Sequence, residues 1–426
     1  MDWIKQASWY ILGSEEFVSS NSIMATVVMK AKLDTKKLFP GYRELILRNP
    51  LLQTKIIDQP KKDSFEWGRF SREELEELLC FEEGQLSKKF TMEELLAQYE
   101  TTNSRLPFCF SVIDECTLQF FMNHVVTHGR GMIFWIQEWL QYYSGEKEEK
   151  RTSYSSYKDG ILRALKRVGA FFWMPFFTQD FVKRALKVTA DDTVDLSYGN
   201  KPERNGSYVK KSYRFGEPET SEILHQCRLK KMTVTEYLCF QLIRGLFQYD
   251  SQKKRVLVAM PMDIQSFYPY SPETMCGNFI GALPAQFFRD GDLEKQVKSV
   301  FKWFKRGIPY SLLAVASFFL RSYKKLKKSC QERCEKPMPE RAPLGNYSVY
   351  FSNIGIVSYP IMERHVESIC FSLKTQFVMI SASTISGRLM MEICISEKLY
   401  DPVKVFQLFD RILSLDYLLN NDNTHL

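Results

Sequence analysis

The sequence predicts an α/β protein of the α+β kind, built as two lobes that each combine a sheet with flanking helices. Three observations carry this expectation. The chain has 426 residues, more than one hydrophobic core usually organises. Short β-rich runs bounded by turn residues alternate with amphipathic helical patterns in both halves. Between the halves the composition changes, to the polar GEKEEKRTSYSSYKDG and then to ILRALKRVGAFFWMPFF, where bases mix with aromatics. The expected boundaries are a first lobe over 1–150, a crossover linker over 151–195 and a second lobe over 196–426.

In the first lobe, SIMATVVMKAKL reads as a strand, and the run from Asp34 to Asn49 as a helix closed by Asn49-Pro50. TKII begins the next strand. SREELEELL and TMEELLAQY each open on a capping hydroxyl with Glu three residues later, which predicts surface helices. Pro107 to Ile113 and Leu118 to Met122 form a hairpin around Asp114-Glu115. The chain then enters NHVVTHGRG. From Met132, apolar residues recur at Ile136, Trp139, Leu140 and Tyr143, the spacing of one helix face.

In the second lobe, SYVKKSYRF is a strand, SEILHQCRLKK a helix, and Thr233 with Glu236 a capping box for TEYLCFQLIRGLF. RVLVAMPMDI and CGNFIGALPAQF are strands. YSVYFSNIG, ESICFSLK, QFVMISAST and RLMMEICIS follow as four more, before the helix PVKVFQLFDRILSL. IPYSLLAVASFFL is too short to span a bilayer and is expected as a buried helix. The segments 161–177 and 305–328, apolar with basic residues, leave peripheral membrane contact open.

The net charge of +8 is spread among acidic residues, with no basic helix carrying base-stacking aromatics, so no nucleic-acid partner is expected. The ten cysteines include no CxxC pair, and no apolar leader run follows Met1. A reducing cytoplasm is the expected location.

His124 and His128, two of five histidines, sit four residues apart where a strand gives way to a helix. A metal site needs a third ligand, and only His225, His365, His425 or distant acids and thiols are available, so none is expected. No GxSxG or cysteine elbow supplies a nucleophile. An ordinary polar turn is the remaining reading of the residues alone.

NHVVTHG, followed in order by AMPMDI, CGNFIGALP, YFSNIG and MISASTISGRLMMEICIS, resembles the chloramphenicol-acetyltransferase-like acyltransferase superfamily, whose signature is HHxxxDG. The wax ester synthase/diacylglycerol acyltransferase and alcohol acetyltransferase branches are the most similar. The resemblance implies two similar lobes with an active-site tunnel between them, no resident cofactor, and an acyl-CoA or acyl-carrier-protein thioester as co-substrate. It implies acyl transfer to a hydroxyl or amine without a covalent enzyme intermediate. His124 carries over as the general base and Gly129 as the final glycine, which lets the chain turn into the helix.

Asn123 stands in place of the first signature histidine and His128 in place of the aspartate. Where relatives carry an arginine that pairs with that aspartate, this chain has Gln265, so a neutral His128–Gln265 pair is expected. Asn278, Ser352, Asn353, Ser381, Ser383 and Thr384 are candidate oxyanion or substrate contacts, each with a packing role as the alternative. Two other functions stay open: a catalytically degenerate protein that binds a hydrophobic or acylated ligand or a partner protein, and a condensation-type enzyme acting on carrier-protein thioesters. A monomer or small homo-oligomer is expected.

Overall fold

The computed structural model describes residues 22–59, 64–86, 88, 105–124, 126–146, 157–198, 207–267, 280–319, 328, 332 and 347–419. TMEELLAQY and Asn278 lie outside the described residues.

The first lobe runs β1 (Ser22–Met29), α1 (Thr35–Arg48), β2 (Thr54–Gln59), β3 (Ser64–Arg69), α2 (Arg72–Leu86), β4 (Phe108–Val112), β5 (Thr117–Asn123) and α3 (Gly129–Ser144). Asp34 caps α1 by accepting from the Lys36 N–H, and Asn49-Pro50 ends it, because the residue before a proline is driven out of the helical region. Ser71 and Glu74 bond each other's backbone N–H at the start of α2. The predicted apolar face of α3 is buried on the sheet, where Trp139 lies 5.1 Å from Phe110 and 5.2 Å from Phe120, ring centre to ring centre. Aromatic contacts of this kind add to the area term that holds helix to sheet.

α4 (Tyr157–Ala185) is one helix of 29 residues filling most of the expected linker. The second lobe follows with β6 (Tyr208–Phe215), α5 (Glu217–Leu229), α6 (Val234–Tyr249), β7 (Arg255–Asp263), β8 (Ile280–Phe288), α7 (Leu293–Lys305), α8 (Ile308–Phe319), β9 (Val349–Val357), α9 (Pro360–His365), β10 (Val366–Leu373), β11 (Met379–Ile385), β12 (Arg388–Ser396), α10 (Pro402–Ile412) and α11 (Leu415–Leu419). The Thr233–Glu236 capping box forms at α6, which is buried along nearly its whole length at the centre of the second core.

The six-stranded sheet has the order β6-β12-β11-β9-β7-β8, with β9 parallel to both neighbours and the other pairs antiparallel. The four-stranded sheet is antiparallel, in the order β10-β1-β5-β4. Its first strand comes from the second half of the chain: β10 leaves the larger sheet and pairs with β1, Thr26 opposite Cys370. Ser383 of β11 donates to the Ile369 carbonyl at 2.7 Å and Ser381 to the Phe371 carbonyl, so the exchanged strand is tied to both sheets.

A buried polar cluster makes a second tie between the lobes. Lys210 of β6 donates to Thr26 of β1 at 2.8 Å and lies 3.6 Å from Glu392 of β12, whose other oxygen accepts from Ser212. Glu392 is 1% exposed, so its charge depends on these partners.

Candidate active site

NHVVTHG occupies the junction between β5 and α3 in a compact turn. The Asn123 carbonyl accepts from Val126 N–H at 3.0 Å and from Thr127 N–H at 3.3 Å. His128, with extended backbone, is the N-cap of α3, and its carbonyl takes the Met132 N–H at 2.9 Å. This folding brings His124 Nδ1 to 3.0 Å from the Thr127 carbonyl. A carbonyl can only accept, so the ring proton sits on Nδ1 and Nε2 carries the lone pair.

His124 is half-buried and lines a cavity of about 500 Å³ whose wall includes residues of β1, β7, β9, β10, β11, α6 and α7, from both halves of the chain. The wall is mostly apolar, with Met260, Ile280, Phe301, Tyr350, Phe371 and Met379 among its residues. Burial is the largest influence on the His124 imidazole and brings its pKa down to about 4; charge on His128 acts in the same direction, against the backbone hydrogen bonds. The ring is therefore neutral at physiological pH, and an imidazole so held can accept a proton at Nε2.

His128 does not duplicate this arrangement. It is buried, and its Nε2 lies 3.7 Å from Oδ1 of Asp263, the last residue of β7. The other carboxylate oxygen lies 3.6 Å from Arg130, and the Gln265 backbone N–H donates to Oδ1 at 2.7 Å. Burial opposes the charge on Asp263, but bonding and charge from His128, the Gln265 amide and Arg130 outweigh it and hold the carboxyl below its ordinary range.

A His128–Gln265 pair was the expectation; beside His128 the structure places the acid two residues earlier, Asp263, to which Gln265 gives its backbone N–H. The junction between the lobes thus has an imidazole on the turn beside a carboxylate on the strand.

Gly129 begins α3 without a left-handed backbone angle. Its role is room: a Cβ here would come within 3.2 Å of the Ile354 side chain, which wedges against the turn from β9. Ile354 can reach it because β9 bulges there, Asn353 pairing with Ala382 and Gly355 already with Ser383, while Gly355 takes a φ of +89°.

The predicted polar contacts separate into three groups. Ser352 and Asn353 line the cavity. Asn353 spends its amide on the bulge, giving Nδ2–H to Thr235 Oγ1 at 2.9 Å and accepting the Gly355 N–H at 2.8 Å. Ser381 also lines the cavity, but it and Ser383 donate their hydroxyl protons to β10 carbonyls, so neither offers that proton to a ligand. Thr384 is half-buried and off the cavity wall.

Two site residues were missed by sequence reasoning. Asp263 lay within the quoted AMPMDI, and its charge at the end of an apolar strand was the available signal. Thr235 lines the cavity from the first turn of α6; since it accepts from Asn353, its own O–H remains to donate inward. Among the described residues no group of three or more His, Cys, Asp or Glu side chains is placed to hold a metal ion.

The whole fold has counterparts of solved structure. Trichothecene 15-O-acetyltransferase TRI3 from Fusarium sporotrichioides shares 11% identity over 97% of this chain and 94% of its own, with a TM-score of 0.65. Polyketide synthase associated protein 5 from Mycobacterium tuberculosis shares 11% over 96% of each chain, with a TM-score of 0.61. A variant of the starter condensation domain of rhizomide synthetase RzmA, in complex with C8-CoA and Leu-SNAC, shares 10% over 97% of this chain and 92% of its own, at 0.59. The chain thus has the two-lobed chloramphenicol-acetyltransferase-like fold. No protein-family model matches the sequence, and no curated protein matches it.

Proposed function

We propose that this protein is an acyltransferase that moves an acyl group from a thioester, acyl-CoA in the first instance, to a hydroxyl or amine acceptor, with His124 as general base. One observation carries the reading: an imidazole whose Nδ1–H is fixed on a carbonyl, leaving Nε2 with the lone pair, lines a mostly apolar cavity between the lobes. Supporting it, similar folds include an acetyltransferase and a condensation domain in complex with C8-CoA.

In the reaction, the acceptor O–H or N–H gives its proton to Nε2 as its heteroatom attacks the thioester carbonyl carbon. The resulting oxyanion takes hydrogen bonds from Thr235 and Ser352, two of the hydroxyls on the cavity wall. Collapse breaks the C–S bond, and the leaving thiolate takes the proton back from Nε2. No bond to the protein forms. Holding donor and acceptor together in one cavity supplies the remaining advantage over solution.

Two readings compete. His128 in place of the signature aspartate favours a degenerate binding protein; the Asp263 carboxylate beside His128 and 3.6 Å from Arg130 weakens that argument, since an acid is still held at the site. A condensation-type enzyme shares the chemistry and differs in its donor. A screen of acyl-CoA and acyl-pantetheine thioesters with mixed alcohol and amine acceptors, read as free thiol release, separates all three: acceptor-dependent release with CoA thioesters supports the proposal, release with pantetheine thioesters alone supports the condensation reading, and ligand binding without release supports the degenerate one.

A further inference from the structure

α4 presents to solvent a face that a water-soluble surface does not usually carry. Leu162, Leu165, Val168, Phe172 and Phe176 follow one another along its outer side, each more than half exposed, from 51% at Phe176 to 67% at Val168. Positions three and four apart on a helix share a face, so these side chains form one ridge about four turns long. Single exposed apolar residues are ordinary; a contiguous aromatic and aliphatic ridge marks a surface that is covered in use.

The charges around the ridge indicate what covers it. Between Asp159 and Asp180 the chain has no acidic residue, whereas Arg163, Lys166 and Arg167 lie within the run. At its edge the Arg306 guanidinium sits 3.7 Å above the Trp173 ring, with Trp303 on its other side at 4.8 Å. α8 packs beside α4 through Tyr310 and Phe171. A second copy would bring one cationic helix against another, whereas an anionic bilayer surface meets both the apolar ridge and its basic margin.

We propose that the α4 ridge is a membrane-docking face that inserts its apolar side chains among the acyl chains of an anionic lipid surface. The proposal is independent of the acyl-transfer reading. It has a consequence for the site, because Arg167 of α4 donates to the Phe267 carbonyl at 2.6 Å, one residue beyond Ser266 on the cavity wall. Docking would hold the cavity next to the lipid.

The test is sedimentation of the full chain with sucrose-loaded vesicles of phosphatidylcholine alone or mixed with phosphatidylglycerol, at low and high salt, beside the triple variant Leu165→Glu, Phe172→Glu, Phe176→Glu. All three positions are exposed, and unchanged circular dichroism and melting confirm that the variant folds. The expected result is pelleting with anionic vesicles that weakens in salt, is absent with neutral vesicles and is lost in the triple variant. Failure to pellet with anionic vesicles, or pelleting by the variant equal to that of the parent, overturns the proposal. So does a parent dimer in analytical ultracentrifugation that the variant converts to monomer while neither binds lipid.

Discussion

Nε2 of His128, on the turn that carries His124, lies 3.7 Å from Oδ1 of Asp263, at the end of the strand that forms the opposite wall of the cavity. This contact orders the turn from the far side, and it has a polarity: base from the first lobe, acid from the second.

The polarity is testable by exchange. His128→Asp alone sets two carboxylates against each other, and Asp263→Arg alone sets a guanidinium between His128 and Arg130. Each is expected to lower melting temperature and turnover. The double variant, with acid and base exchanged, should recover a coupling of about 0.5–3 kcal/mol. A double-mutant cycle read by both denaturation and kcat decides; additive losses would mean the contact has no energetic role.

The depressed pKa of His124 predicts an unusual pH profile. A base must be unprotonated, so kcat/KM should hold as pH falls through 6.5 and decline only near about 4. His128→Gln removes a repelling charge and should move this limb upward. The same shift has a stability consequence. The unfolded chain binds a proton at His124 that the folded chain does not between pH 6.5 and about 4, so the fold loses stability as pH drops through that window and none above it. A kcat/KM limb at 6.5 would place His124 in water rather than in the cavity wall.

The hydroxyls near the cavity are expected to divide by the fate of their protons. Thr235→Val and Ser352→Ala should reduce kcat, each by on the order of 10²-fold if its donor meets the oxyanion, with KM nearly unchanged. Ser383→Ala, whose proton is held by the Ile369 carbonyl, should instead cost about 1 kcal/mol of stability and leave kcat alone. Steady-state kinetics beside chemical denaturation read both halves; a larger kcat loss at Ser383 would reverse the assignment.

Much of this architecture was legible in the sequence. Apart from β3, which was not expected, the described strands and capped helices match runs with clear alternation, 3.6-residue spacing or a capping box, all of which are local signals. What escaped depended on distant partners. Nothing in ESICFSLK says that β10 pairs with β1 rather than with its sequence neighbours. α4 reads as a linker because apolar residues occur on both its buried and exposed sides, which blurs the helical stripe. Asp263 escaped because the residue that faces a cavity at a strand end is set by pleat and register, not by composition.

Lys210 and Glu392 belong to the same class of hidden feature. In YVKKSYRF the lysines look like a solvated face, yet Lys210 enters the interlobe core beside Thr26. Lys210→Met leaves the Glu392 carboxylate buried without its cation and should cost about 3–5 kcal/mol. Adding Glu392→Leu should restore most of that, because an apolar pair of similar volume tolerates burial. Urea denaturation of the three variants checks the expected order; an undiminished single variant would show that the pair is not desolvated.

The most direct measurement is kcat/KM for the best acyl-CoA and acceptor pair in the parent protein and in His124→Ala, with substrate binding measured in both. The account predicts that His124→Ala binds the acyl-CoA with little change and loses on the order of 10²–10⁴-fold in kcat/KM. Equal turnover by the two proteins would contradict the assignment of His124 as the base.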